Sequence, residues 1–431
     1  MTEPKSDRPW ARIPQSHLLR GMLMLLSGSA LAQIITLASL VLTARLYSDV
    51  AFGTLAIFTS AVMLIAPLAA LRYDFVVMLP KTESEARSVF SLSRRIITSV
   101  SIVCLLASVA FQPFLEELFR SETIARSLLL VGPTVFLSAE ITLMQTWMNR
   151  AGDYRLMSQN RIWLASGIGV GQIGMGIPVR PVPGGLIFGH VGGNLLAWVR
   201  IVLVTRKSIR LVGHSPERLR DLAHKYRMMP ILNGANAMLD GVRMNGINFI
   251  IATEAVSALG QYNMAWRLTI APLGLVSSSV SQVLFRDIAR TEPGELVGRL
   301  ARIVATLAAF GIPIFGLAYI FVPTLLPILL GAEWTEAGYF ARALCPWLLL
   351  TLIASPIATI FIVTAKQHWL LMHAAAYCVA PLAFLGFASG PLYDKITILS
   401  LIMAGMLAIM VGLAFLAARA YDGGSYAPQL Q

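Results

Sequence analysis

Twelve mostly apolar stretches of 17 residues or more divide this chain, at 21–43, 53–79, 96–114, 127–147, 162–178, 184–204, 228–252, 259–283, 303–330, 340–364, 369–387 and 396–418. Wound as helices, stretches of this length match the hydrocarbon core of a bilayer. A backbone in lipid must satisfy its own hydrogen bonds, so runs without strand-like alternation predict helices. The expectation is an all-α integral membrane protein of about 12 transmembrane helices. At 56% hydrophobic and 13% charged residues, the 431-residue chain is also too apolar for an ordinary soluble core. The basic start, with "ALA" at 30–32, imitates a secretory signal. The apolar run continues through "IITLASLVLTA" and reaches spanning length, which predicts a helix that stays.

Lysine and arginine are placed unevenly along these runs. With the N-terminus inside, the segments on that side hold about 24 of them and the opposite segments about six: Arg45, Arg120, Arg126, Arg180, Arg342 and Lys395. The positive-inside rule then predicts that both termini are cytoplasmic. The chain divides into a tail 1–20, six helices in 21–204, a basic linker 205–227, six helices in 228–418 and a tail 419–431. In the linker, Ser215 and Pro216 fit the start of a short helix, with Leu219, Leu222 and Tyr226 on one face. Arg218, Lys225 and Arg227 point elsewhere, as in a helix lying on anionic headgroups. The net charge of +12 reflects orientation, and no nucleic-acid module accompanies it.

The halves repeat. "FGTLAIFTSAVMLIAPLAAL" in the second helix and "LGQYNMAWRLTIAPLGLV" in the eighth each place a glycine near the helix start and "IAPL" ten or twelve residues on. Six helices per half put both halves in the same orientation, a parallel repeat with substrate expected between the two six-helix lobes.

Polar residues inside the spans are the candidates for function. On the seventh helix Asn233, Asn236, Asp240 and Arg243 share an arc of about 80°. On the first, Ser29, Gln33, Thr36, Ser39 and Thr43 share about 120°. Either stripe could line a path or bond neighbouring helices. Charge at mid-membrane is costly and usually faces a cavity or a partner. Arg72, Arg200, Arg243 and Arg267 are the basic residues within or at the ends of spans, and Glu140 and Asp240 are the well-buried acids. Those two acids could titrate in H+ or Na+ coupling or pair with an arginine. "GVGQIG" at 169–174 matches a dinucleotide fingerprint only in letters, because no strand precedes it. Gly167 and Gly171 form instead a GxxxG for close helix packing. Cys104, Cys345 and Cys378 sit in apolar runs and predict neither a disulfide nor a metal cage.

The stretch "LRYDFVVMLPKTESEA" puts Arg72 deep in the second span. Counted down a continuous helix from Gly53, it lies about 28 Å along the axis, with Asp74 about 200° round and facing elsewhere. Arg72 either faces a central cavity or snorkels to the headgroups. This stretch, with "ALAQIITLASLVLTARLYSDVAFGTLAIF" and "LGQYNMAWRLTIAPLGLVSSSVSQVLFRDIAR", resembles the polysaccharide-transport family of the multidrug, oligosaccharidyl-lipid and polysaccharide exporter superfamily. Its motif positions here are Arg72, Tyr73, Asp74, Pro80 and Lys81.

The resemblance implies a V-shaped pair of lobes with alternating access and a cationic lumen, and no catalytic residues or cofactor. The implied substrate is an undecaprenyl-pyrophosphate-linked oligosaccharide, flipped for O-antigen, lipopolysaccharide or exopolysaccharide assembly. A polysaccharide polymerase and a chain-length regulator are the partners it suggests, besides membrane lipid. Arg72, Arg243, Arg267, Asn233, Asn236, Asp240 and Gln33 are the substrate-binding candidates. A cation-coupled drug antiporter would share the fold, but its acidic lumen fits these arginines poorly. A glycan polymerase would need a large outer loop that the spacing of the runs does not provide.

Overall fold

The computed structural model describes residues 15–177, 184–211, 219–289, 291, 294–364 and 366–423. Every regular element among them is helical. The first half runs α1 (Gln15–Ala44), α2 (Asp49–Ile65), a 3-10 turn (Ala66–Leu68), α3 (Tyr73–Val76), α4 (Glu83–Ala110), α5 (Gln112–Phe119), α6 (Glu122–Leu128), α7 (Val131–Ala151), α8 (Tyr154–Gly176) and α9 (Gly185–Leu211). A short α10 (Leu219–Lys225) leads to α11 (Met228–Glu254), α12 (Val256–Ala289), α13 (Leu296–Leu330), a 3-10 turn (Ala332–Trp334), α14 (Thr335–Ile357), α15 (Ile360–Val363), α16 (Gln367–Phe387) and α17 (Leu392–Asp422). Each expected run holds one long helix. Among the described residues nine spans are long and apolar enough to cross a membrane. The runs 162–178, 228–252 and 259–283, which hold α8, α11 and α12, are not among these nine.

Local chemistry sets the breaks. Ser48, Thr82 and Ser121 cap α2, α4 and α6 by accepting the amides of Ala51, Glu85 and Ile124. Gly152 takes the left-handed conformation (φ 71°) that ends α7, and Asp153 caps α8 immediately after it. The two GxxxG stretches meet face to face. A methyl on Gly167 would stand 3.2 Å from the Gly193 Cα, and one on Gly171 3.0 Å from the Gly189 Cα, so α8 and α9 touch backbone to backbone.

The second span departs from expectation. Residues 53–79 do not form one helix: Pro67, which lacks an amide hydrogen, falls in the 3-10 turn, and α2 ends at Ile65. Leu71 and Arg72 then take positive φ of 45° and 60°, and Arg72 stands at the head of α3. The straight-helix depth of Arg72 therefore does not hold. In α12 the matching Pro272 lies inside a continuous helix, so the same tetrapeptide breaks one half and not the other.

The linker also differs. Ser215 and Pro216 lie outside the described residues. Leu222 is buried as its apolar face predicts, and Lys225 also has a partner on the protein. Its Nζ bonds Glu85 Oε1 at 2.7 Å, Tyr226 Oη bonds the same oxygen at 2.9 Å, and Tyr73 Oη donates to the Ala223 carbonyl at 2.8 Å. Glu85 thus takes two donors from the linker segment, which ties α10 to the start of α4.

The halves meet through α2, which packs on α11 and α12. At the end of the bundle away from α10 this contact is a seal. Gly53 and Gly260 are each the fifth residue of their helix, and a methyl on Gly260 would stand 3.0 Å from the Gly53 amide nitrogen. Trp334, 1% exposed, donates Nε1 to the Ala44 carbonyl at 2.9 Å and meets the Phe52 ring edge to face. Arg45 Nη2 reaches the Leu329 carbonyl at 3.0 Å.

Candidate functional site

The broken second span makes a cavity. Between α2, α7, α8 and α9 lies a space of about 340 Å³ whose wall includes Arg72, Asp74, Ser138, Thr142, His190 and Asn194. Asp74 does not face elsewhere: with the helix interrupted, the 100° per residue that separated it from Arg72 no longer applies, and both line this cavity. Arg72 lies over the Phe75 ring at 4.5 Å and reaches the Pro67 carbonyl only at 3.5 Å, and its Nε is buried without a partner. Asp74, 5% exposed, leaves Oδ1 without a partner. Buried polar atoms of this kind are costly and mark a place where a ligand can satisfy them.

The other candidates divide between structure and site. Arg267 is half-buried on α12, with no ion pair or hydrogen bond among the described residues. Arg243 lies over the Tyr377 ring at 4.5 Å, 3.5 Å from Asp240 Oδ1. Trp347 Nε1 holds the Tyr377 hydroxyl at 2.7 Å, and Trp347 stacks on Trp266 at 4.7 Å. This aromatic support was not read from the sequence, since its members lie on four helices. Asn233 and Asn236 stand on α11, and their side chains lie outside the described part. Gln33 is half-buried on α1 and does not line the cavity.

Two groups of candidates have partners within the protein. Glu140, fully buried, lies 3.2 Å from Arg94 Nε, so its position is that of an ion-pair partner. On α1, Thr36 and Thr43 bond carbonyls of their own helix, and Ser29 is held by Arg161 of α8. Arg200 bonds Gln159 at 2.8 Å. Within the motif, Pro80 is buried and Lys81 exposed. Arg150, counted in the sequence only as a cytoplasmic charge, clasps this segment through the Val77 and Pro80 carbonyls at 3.1 and 2.9 Å and the Glu83 carboxylate at 3.1 Å. Nothing local signals that contact, because its partners are about 70 residues away.

A family model described as "Polysaccharide biosynthesis protein" matches residues 41–338, well over half of the chain. The chain belongs to this family. No curated protein matches it. Among solved structures, this family member is similar to "Lipid II flippase MurJ, inward closed conformation" at 15% identity, covering 92% of this chain and 90% of that one, with a TM-score of 0.73. It is similar also to an inward-facing multidrug resistance MATE family transporter of the MOP superfamily (11% identity, 94% and 99% coverage, TM-score 0.67). An outward-facing MATE family transporter gives 12% identity, 99% and 100% coverage and a TM-score of 0.58. The fold is therefore that of the MOP exporter superfamily, on a multi-pass membrane protein.

Proposed function

We propose that this protein flips undecaprenyl-pyrophosphate-linked oligosaccharide from the cytoplasmic to the periplasmic leaflet for surface polysaccharide assembly. The observation that carries the reading is a pair of guanidinium groups, Arg72 and Arg267, without a carboxylate in ion-pairing reach among the described residues, in a member of a polysaccharide biosynthesis family. An unpaired arginine at membrane depth is costly, and a diphosphate answers it with bidentate, charge-assisted hydrogen bonds. The diphosphate and sugars cannot cross hydrocarbon unaided. The lipid tail stays in the bilayer.

No bond is made or broken in this transfer, so the residues act by binding alone. Arg72 engages the pyrophosphate at the α10 end, which the charge bias assigns to the cytoplasm. Arg243 and Arg267 serve as later stations, and the seal between α2 and α12 closes the periplasmic end in the conformation described. Alternating access consists in parting that seal while the α10 end closes.

The test is the leaflet distribution of the lipid-linked glycan, normalised to protein level. Arg72→Ala should leave it on the inner leaflet, and Arg72→Lys should be milder because charge remains while the fork is lost. Unchanged flipping in Arg72→Ala refutes the role.

A further inference from the structure

Beside the seal, at the end away from α10, a second cavity of about 730 Å³ opens between the first turns of α12, α14 and α17. Its wall combines three kinds of group. Tyr339 and Tyr393, 45% and 37% exposed, meet edge to face with centroids 6.2 Å apart. Arg342 lies over the Tyr319 ring at 4.4 Å and donates Nη2 to its hydroxyl at 3.3 Å, which leaves Nε buried and without a partner. Glu336 is exposed and makes no ion pair among the described residues.

This mixture fits one ligand chemistry. An apolar groove would need neither the arginine nor the carboxylate. Tyrosines alone would suit the membrane interface, yet an interfacial belt needs no cavity and no paired donor and acceptor. A pyranose ring needs both. Its axial C–H face is weakly positive and lies on the electron-rich face of a tyrosine, while its rim of hydroxyls takes hydrogen bonds from a guanidinium and a carboxylate. The volume falls within the range of small-molecule pockets, about 300–1,000 Å³.

The cavity also shares its walls with the seal. Ala337, next to Glu336, gives its amide to Gln261 Oε1 at 3.0 Å, and Gln261 Nε2 reaches the Glu333 carbonyl at 2.7 Å and the Asp49 carboxylate at 3.5 Å. Ser257 and Ala258 line the cavity within one turn of Gly260 of the seal. The cavity wall therefore borders the surface that α2 leaves when the seal parts.

We infer that this cavity is an exit-side glycan subsite, which takes a sugar ring of the lipid-linked headgroup as the seal parts. The inference rests on the flippase reading and adds a second station to it. The test uses full-length protein in nanodiscs and, as probe, the oligosaccharide released by mild acid from the host cell's lipid-linked intermediate. Saturation-transfer NMR on protein deuterated everywhere except tyrosine should carry saturation from the tyrosine rings to the ring C–H protons of the sugar. Tyr339→Leu with Tyr393→Leu should weaken binding at least tenfold, Tyr393→Phe should stay near wild type, and Arg72→Ala should leave this binding unchanged whatever it does to flipping. No transfer to the sugar in the wild type overturns the proposal without reference to any variant. Equal binding by the double leucine variant also overturns it, as does preferential transfer to glycerol phosphate, which would make the cavity a lipid-headgroup site. Normal flipping by Arg72→Ala beside lost sugar binding in the leucine variant would remove the inner station and keep this one.

Discussion

Gly260→Ala should push the protein out of its sealed conformation. The added methyl stands 2.8 Å from the Asp49 carbonyl carbon and 3.0 Å from the Gly53 amide nitrogen, and closer still to the Asp49 carbonyl oxygen. These are backbone atoms of the opposing helix, which cannot rotate aside as a side chain can. Overpacking of a fitted contact costs about 1–3 kcal/mol. The cost falls on the sealed state alone, because parting α2 from α12 removes the clash. A difference of about 1–3 kcal/mol is a shift of about 5–150-fold in the ratio of open to sealed molecules. Spin labels at Glu122 and Thr335, both exposed at that end, report it as growth of a long-distance population in pulsed electron resonance. A wild-type distance distribution in Gly260→Ala, at normal abundance, would show that the close approach does not hold the seal.

Other contacts give separate tests. Gly171→Ala should lower thermal stability without changing that distance distribution, by about 1–3 kcal/mol, since α8 and α9 approach within one half. Tyr73→Phe removes the bond to the Ala223 carbonyl, about 1 kcal/mol, and should speed trypsin cleavage after Lys225 or Arg227 several-fold. The Arg94–Glu140 pair should respond unequally. Arg94→Leu strands a buried carboxylate at a cost of about 3–5 kcal/mol, Glu140→Gln leaves only a half-exposed arginine unpaired, and the double change should recover most of the loss in thermal unfolding.

The twelve helices were legible because spanning length is a property of each run by itself. The GxxxG of α8 was legible for a related reason, since a small-residue pair one turn apart announces a close neighbour, though not that Gly189 and Gly193 of α9 are that neighbour. What escaped was decided by the third dimension. Pro67 and Pro272 sit in the same tetrapeptide, and only the first ends a helix, so no local rule could place Arg72 or bring Asp74 beside it. Arg150, Glu85 and Trp347 read as ordinary charged or apolar residues until partners far along the chain appear. Arg243 was singled out by its helical stripe, but the Tyr377 face that carries it lies on another helix.

The glycines at the seal carry a consequence for heredity. Gly53 and Gly260 hold the same rank in corresponding helices and meet each other across the join. The codons for these two glycines are therefore answerable to each other, because a side chain gained in either half has to be accommodated by the backbone of the opposite one.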